Sequence, residues 1–135
     1  MYGYLESRGS DDIGKLILRL TLGLLILFHG VAKLISGVDP IAGMLQGAGL
    51  PAFMAYGVLI GEVVAPILLI IGFYARVGAA VIAINMVFAI LLAHAGEIFT
   101  LGPQGGWQLE LQGMFLFTAV ALVFTGPGAI AVNQR

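Results

Sequence analysis

PAFMAYGVLIGEVVAPILLIIGF, residues 51–73, is the stretch that decides the fold. Its 23 residues carry a single charge, Glu62, at the centre. A helix rises about 1.5 Å per residue, so roughly 20 apolar residues cross the ~30 Å hydrocarbon core of a bilayer. The stretch therefore predicts a transmembrane helix. A carboxylate at its midpoint costs on the order of 3 kcal/mol to insert. Glu62 has to face the protein interior or a wet cavity, and it needs a partner.

The rest of the chain agrees. Of 135 residues, 60% are hydrophobic and 10% are charged, with mean hydropathy +1.06. Soluble domains carry about 25% charged residues, so the composition is that of a multi-spanning membrane protein forming a single integral domain. Net charge is −1, and no basic run points to nucleic acid. Cysteine is absent, which excludes thiolate-held iron–sulfur clusters and disulfides. Any electrons handled here need a bound organic cofactor or a redox partner protein. Met1–Asp12 shows no signal-peptide pattern, so the first helix is expected to stay as an anchor.

Outward from residues 51–73, three further apolar segments predict helices: Ile13–Ile35, Ala75–Ala95 and Trp107–Phe124. The expected fold is an all-α membrane four-helix bundle. A tight turn at Tyr74–Arg76 makes the second and third helices antiparallel neighbours. Between the first two, Asp39-Pro40 is a helix-start signal, an N-cap side chain followed by a ring pre-set for the first turn. Ile41, Met44, Leu45 and Ala48 follow at helical spacing, predicting a short interfacial helix that ends by Gly49-Leu50-Pro51. Residues 96–106, with Gly102-Pro103 and Gly105-Gly106, read as a loop. Arg8, Lys15, Arg76 and Arg135 flank one side of this topology, which predicts both termini and the tight turn on the cytoplasmic face.

That topology sorts the polar residues by depth. His29 and Lys33 share one face of helix one at i and i+4. Glu62 is central in helix two, His94 ends helix three and Glu110 opens helix four. These five residues are expected to form one outward-facing pocket, roofed by the surface helix and the Gly-rich loop, with Glu62 in reach of Lys33 or Arg19. Arg19 occupies a second, inner level. Asn85, in mid-helix three, reads as interhelical hydrogen-bond glue. Each also has a plainer reading: a Glu62–Lys33 pair fixing helix register, packed histidines, and Glu110 placed at a positive helix start.

The chain resembles the DoxX family of small four-helix membrane proteins. The resemblance rests on Arg19-Leu20-Thr21-Leu22-Gly23, His29-Gly30-Val31-Ala32-Lys33-Leu34, Gly49-Leu50-Pro51, Gly61-Glu62, Gly72-Phe73-Tyr74-Ala75-Arg76, Glu110 and Gly126-Pro127-Gly128. It covers nearly the whole chain. The family ending often has serine and aspartate after Gly-Pro-Gly, where Ala131-Val132-Asn133 stands here. The resemblance implies a bundle in a bacterial or archaeal cytoplasmic membrane and a link to quinone-dependent redox systems, including the small subunit of an archaeal thiosulfate:quinone oxidoreductase. The functional expectation is a quinone- or quinol-interacting component: His29, Lys33 and His94 at the quinone carbonyls, Glu62 and Glu110 on a proton route, the tail between helices. The alternatives are a non-catalytic membrane subunit or scaffold, able to oligomerise, and a small haem b protein with His29 and His94 as axial ligands.

Overall fold

The computed structural model describes residues 2–37, 39–93 and 95–133. Among them lie five α-helices: α1 (Tyr2–Ser36), α2 (Asp39–Gly47), α3 (Met54–Ile71), α4 (Ala75–Ala93) and α5 (Glu110–Thr125). A single 3₁₀ turn, Ala95–Glu97, follows α4. The long helices pack in the order α1–α3–α4–α5, and α5 closes the ring against α1. Leu22, Ile26, Leu69, Ile82 and Leu122 are all buried at its centre. The outer faces are apolar too: Phe28 is 69% exposed, Ile84 69% and Phe124 78%. Three helices are long and apolar enough to cross a membrane, over Gly9–Ser36, Met54–Ile71 and Ala75–Leu92; α5 is apolar but has 16 residues. The molecule is a helical membrane bundle.

Three helix starts differ from the sequence expectation. α1 starts at Tyr2, not Ile13, because no proline interrupts the polar N-terminal segment and the helix continues through it. α3 starts at Met54, since Pro51–Phe53 are spent on a turn. α5 starts at Glu110, because residues 98–108 fold on themselves. There Leu101 pairs with Trp107 as an isolated bridge, and the Trp107 indole N–H donates to Ile98 O at 2.6 Å.

The α3–α4 turn is built by its glycine. Gly72 adopts a left-handed conformation (φ 73°), its N–H reaching Leu68 O and Leu69 O, while the Phe73 N–H returns to Leu68 O at 3.0 Å. This double return satisfies carbonyls that a helix end otherwise leaves bare.

α1 and α3 meet backbone to backbone at Gly30. A methyl placed there would overlap the Glu62 carbonyl. That carbonyl is also the one whose helical donor is missing, because four residues on stands Pro66, with no N–H. The kink-prone point of α3 is thus covered by the helix that also supplies Lys33.

Candidate functional site

Polar side chains enter the bundle at two levels. The first is Glu62, 4% exposed on α3. The Gly30 contact holds α1 close enough that Lys33, one turn further along, reaches it: Lys33 Nζ to Glu62 Oε1 is 2.5 Å. The two ends of this pair differ, the Lys33 side chain being 33% exposed and that of Glu62 5%. The second carboxylate oxygen, Oε2, is buried and has no hydrogen-bond partner among the described residues.

The pair borders a cavity of about 190 Å³ to which all four long helices contribute. Ile26, His29 and Lys33 come from α1, Glu62 from α3, Met86 and Ala89 from α4, and Leu111, Gln112 and Phe115 from α5. The His29 ring stands edge-on to Phe115, with centroids 6.0 Å apart.

Of the two other expected pocket residues, Glu110 lies elsewhere. Glu110 is exposed at the first position of α5 and does not line this cavity; its carboxylate faces Gly106. Two residues turn a helix by about 200°, and it is Gln112 that faces in. His94 lies outside the described residues. The expected roof is displaced as well. α2 packs on α3 and α4, burying Ile41 and Leu45 against Ala55, with Val58, Phe88 and Leu92 around them. Among the described residues, neither α2 nor the 96–106 loop lines the cavity of Glu62.

Asn85 does sit at the α3–α4 contact, against Gly61, but it makes no bond there. Its Nδ2 is buried and unpartnered among the described residues. Among the described residues it makes no interhelical hydrogen bond.

The second level is Arg19, 1% exposed. Its partners are main-chain carbonyls. Nε donates to Leu69 O at 3.0 Å and Nη2 to Ile70 O at 3.2 Å, while Nη1 donates to Pro127 O and Ile130 O, each at 2.7 Å. The first two carbonyls end α3, where the helix dipole is negative. The last two belong to the tail after α5, which folds back beneath the bundle. Val132 N–H and Asn133 N–H bond Ile71 O and Gly72 O, and Asn133 Oδ1 accepts from Tyr74 N–H at 3.0 Å. Arg76 treats the end of α5 similarly, donating to Val123 O and Phe124 O. Sequence reasoning missed this network because it looked for carboxylate partners, and a guanidinium with five donors can be satisfied by carbonyls alone.

The DoxX family model matches residues 14–95, which contain Arg19, His29, Lys33, Glu62 and Asn85. The chain belongs to the DoxX family. Among its DoxX-like relatives is a Bacillus subtilis protein named "Putative oxidoreductase CatD", 27% identical over 92% of this chain and 87% of the relative. Inner membrane protein YphA of Escherichia coli is 28% identical over 98% and 96% of the two chains. A Mycobacterium tuberculosis membrane protein is 28% identical over 97% and 85%. No solved structure matches this DoxX chain at a significant level.

Proposed function

We propose that this DoxX protein is a quinone- or quinol-interacting component of a redox system in a bacterial or archaeal cytoplasmic membrane. The observation that carries the reading is Glu62: a buried carboxylate with one oxygen on Lys33 and the other unpartnered, beside a cavity that His29 also lines. Membrane-embedded ionisable groups with spare bonding capacity mark ligand and proton pathways. The cavity, at about 190 Å³, is smaller than the ~300–1,000 Å³ of sites for whole drug-sized ligands. It suits a ring-sized head group, with an isoprenoid tail left between helices. In this reading His29 and Lys33 donate to the two quinone carbonyls, and Glu62 passes protons as the head group is reduced or oxidised. The two electrons come from a partner redox protein, because the chain has no cysteine for an iron–sulfur cluster. The name of the Bacillus subtilis relative supports a redox setting. α5 is the fourth span, and both termini face the cytoplasm, as the positions of Arg8, Lys15, Arg76 and Arg135 suggest.

The test is mass spectrometry of lipids extracted from protein purified in gentle detergent, followed by titration with a short-chain quinone. A retained quinone, with affinity lost in His29→Ala and Glu62→Gln while the bundle stays folded, is the expected result. A sample holding phospholipid only, and no titratable binding, sinks the proposal in favour of the scaffold reading. That reading draws on the Lys33–Glu62 pair, which by itself would lock α1 to α3.

A further inference from the structure

A second hollow lies between α3 and α4, separate from the cavity of Glu62. It is an open apolar groove of about 370 Å³, within the ~300–1,000 Å³ of small-molecule sites. Its depth comes from two glycines of α3 one turn apart: nothing stands within 4 Å of a methyl placed on Gly57, and Gly61 lies against Asn85. Met54, Val58 and Phe88 belong both to its lining and to the cluster under α2, so α2 stands at one end. The displaced roof therefore sits beside this groove, although, among the described residues, none of α2 is in its lining.

Asn85 is the polar side chain in the lining. It is 8% exposed, its Nδ2 donor is buried without a partner, and no hydrogen bond satisfies its amide among the described residues. The amide torsion is broad and two-fold, so a half-turn presents the donor to the groove. Asn85 is the eleventh of nineteen residues in α4, which puts it about 15 Å from the start of the helix and about 12 Å from its end. A phospholipid reaches such a depth with methylene groups only, because its ester oxygens stay near the headgroups. The guest that meets the donor so presented is a largely apolar molecule whose carbonyl can sit within the hydrocarbon. A second copy of the chain fits less well, since two like concave faces leave both hollows unfilled.

We propose that the α3–α4 groove binds a membrane-soluble carbonyl compound, with its carbonyl accepting a hydrogen bond from Asn85 Nδ2 and its apolar body lying along Gly57 and Gly61 beneath α2. The site needs no residue of the Glu62 cavity, so it stands or falls separately from the quinone reading of that cavity.

The experiment uses the full chain in nanodiscs and an alkyl benzophenone, whose ketone is both the proposed acceptor and a photochemical crosslinker. Mass spectrometry should place the label on Val58, Ile84 or Phe88. Gly57→Leu, which fills open space, should abolish that label. Asn85→Leu should weaken half-saturation about five- to tenfold, the loss of one neutral hydrogen bond. Label spread evenly over exposed residues such as Phe28 and Phe117, or unaffected by Gly57→Leu, overturns the site. Unchanged half-saturation in Asn85→Leu overturns the carbonyl assignment. Ile84→Cys forming disulfide dimers in this cysteine-free chain, with label appearing only in monomer, assigns the groove to a second copy and overturns the proposal.

Discussion

Removing either member of the Lys33–Glu62 pair should have unequal consequences, and the inequality can be worked from burial. Lys33→Met leaves Glu62, 5% exposed, with neither oxygen bonded among the described residues. Stranding a buried charge costs about 3–5 kcal/mol. Glu62→Gln leaves Lys33 with one third of its side chain exposed. Its flexible stem lets the ammonium turn toward water or headgroups, and the glutamine oxygen still accepts from it. The cost there should be that of one weakened charge-assisted bond, about 1–2 kcal/mol. In the double variant no charge is stranded, so most of the Lys33→Met loss should return, giving an interaction energy toward the upper part of the ~0.5–3 kcal/mol range for coupled neighbours. Equilibrium unfolding of the four proteins in mixed micelles supplies the cycle. Equal costs for the single variants, or additivity in the double, would refute the argument that Glu62 is the buried end of a real pair.

Three other perturbations follow from the packing. Arg19→Met should free the tail by stranding the Ile70, Pro127 and Ile130 carbonyls, at a cost of about 3 kcal/mol or more, read as faster carboxypeptidase trimming than in the native protein; equal trimming rates would count against the staple. Gly30→Leu should force α1 off the Glu62 carbonyl and break the Lys33 contact, so that Lys33→Met adds almost nothing on that background; full additivity would contradict it. Gly113→Ala should push on the Trp107 ring, whose nearest atom would stand 2.6 Å from the new methyl, and shift the emission of the chain's single tryptophan. An unchanged spectrum would show that the ring is not seated there.

Much of this architecture was legible in the residues. Long apolar runs read as helices in lipid, and Asp39-Pro40 marked where α2 begins. The Lys33–Glu62 contact was readable because a mid-span carboxylate needs a cation, and Lys33 stands on α1 at a depth compatible with Glu62 on α3. What stayed hidden depends on rotation and on main-chain partners. Nothing in Ile41–Ala48 tells which cleft the short helix covers. Whether Glu110 or Gln112 faces inward turns on where α5 begins, and a tryptophan bonded to Ile98 O delays that start. Pro66 was a signal left unused: placed four residues after Glu62, it announces a bare carbonyl that a neighbouring glycine can cover.

The polar groups divide in a way that bears on function. At the tail end, Arg19 and Arg76 meet the carbonyl ends of α3 and α5, where two helix dipoles leave negative charge. Asp12 takes the Ala129 N–H at 3.0 Å, and Asn133 takes that of Tyr74. Arg19 is deeply buried there, yet each of its three nitrogens is bonded. At mid-bundle, Glu62 Oε2 and Asn85 Nδ2 are buried and unpartnered among the described residues, and each belongs to a side chain that borders a hollow. Native proteins rarely leave such groups unsatisfied, because each one costs about 1–3 kcal/mol. A polar set present only to hold helices together would be completed at mid-bundle as it is at the tail. Its completion at one level and incompleteness at the other, among the described residues, is what supports the proposed ligand-binding reading of the mid-bundle level.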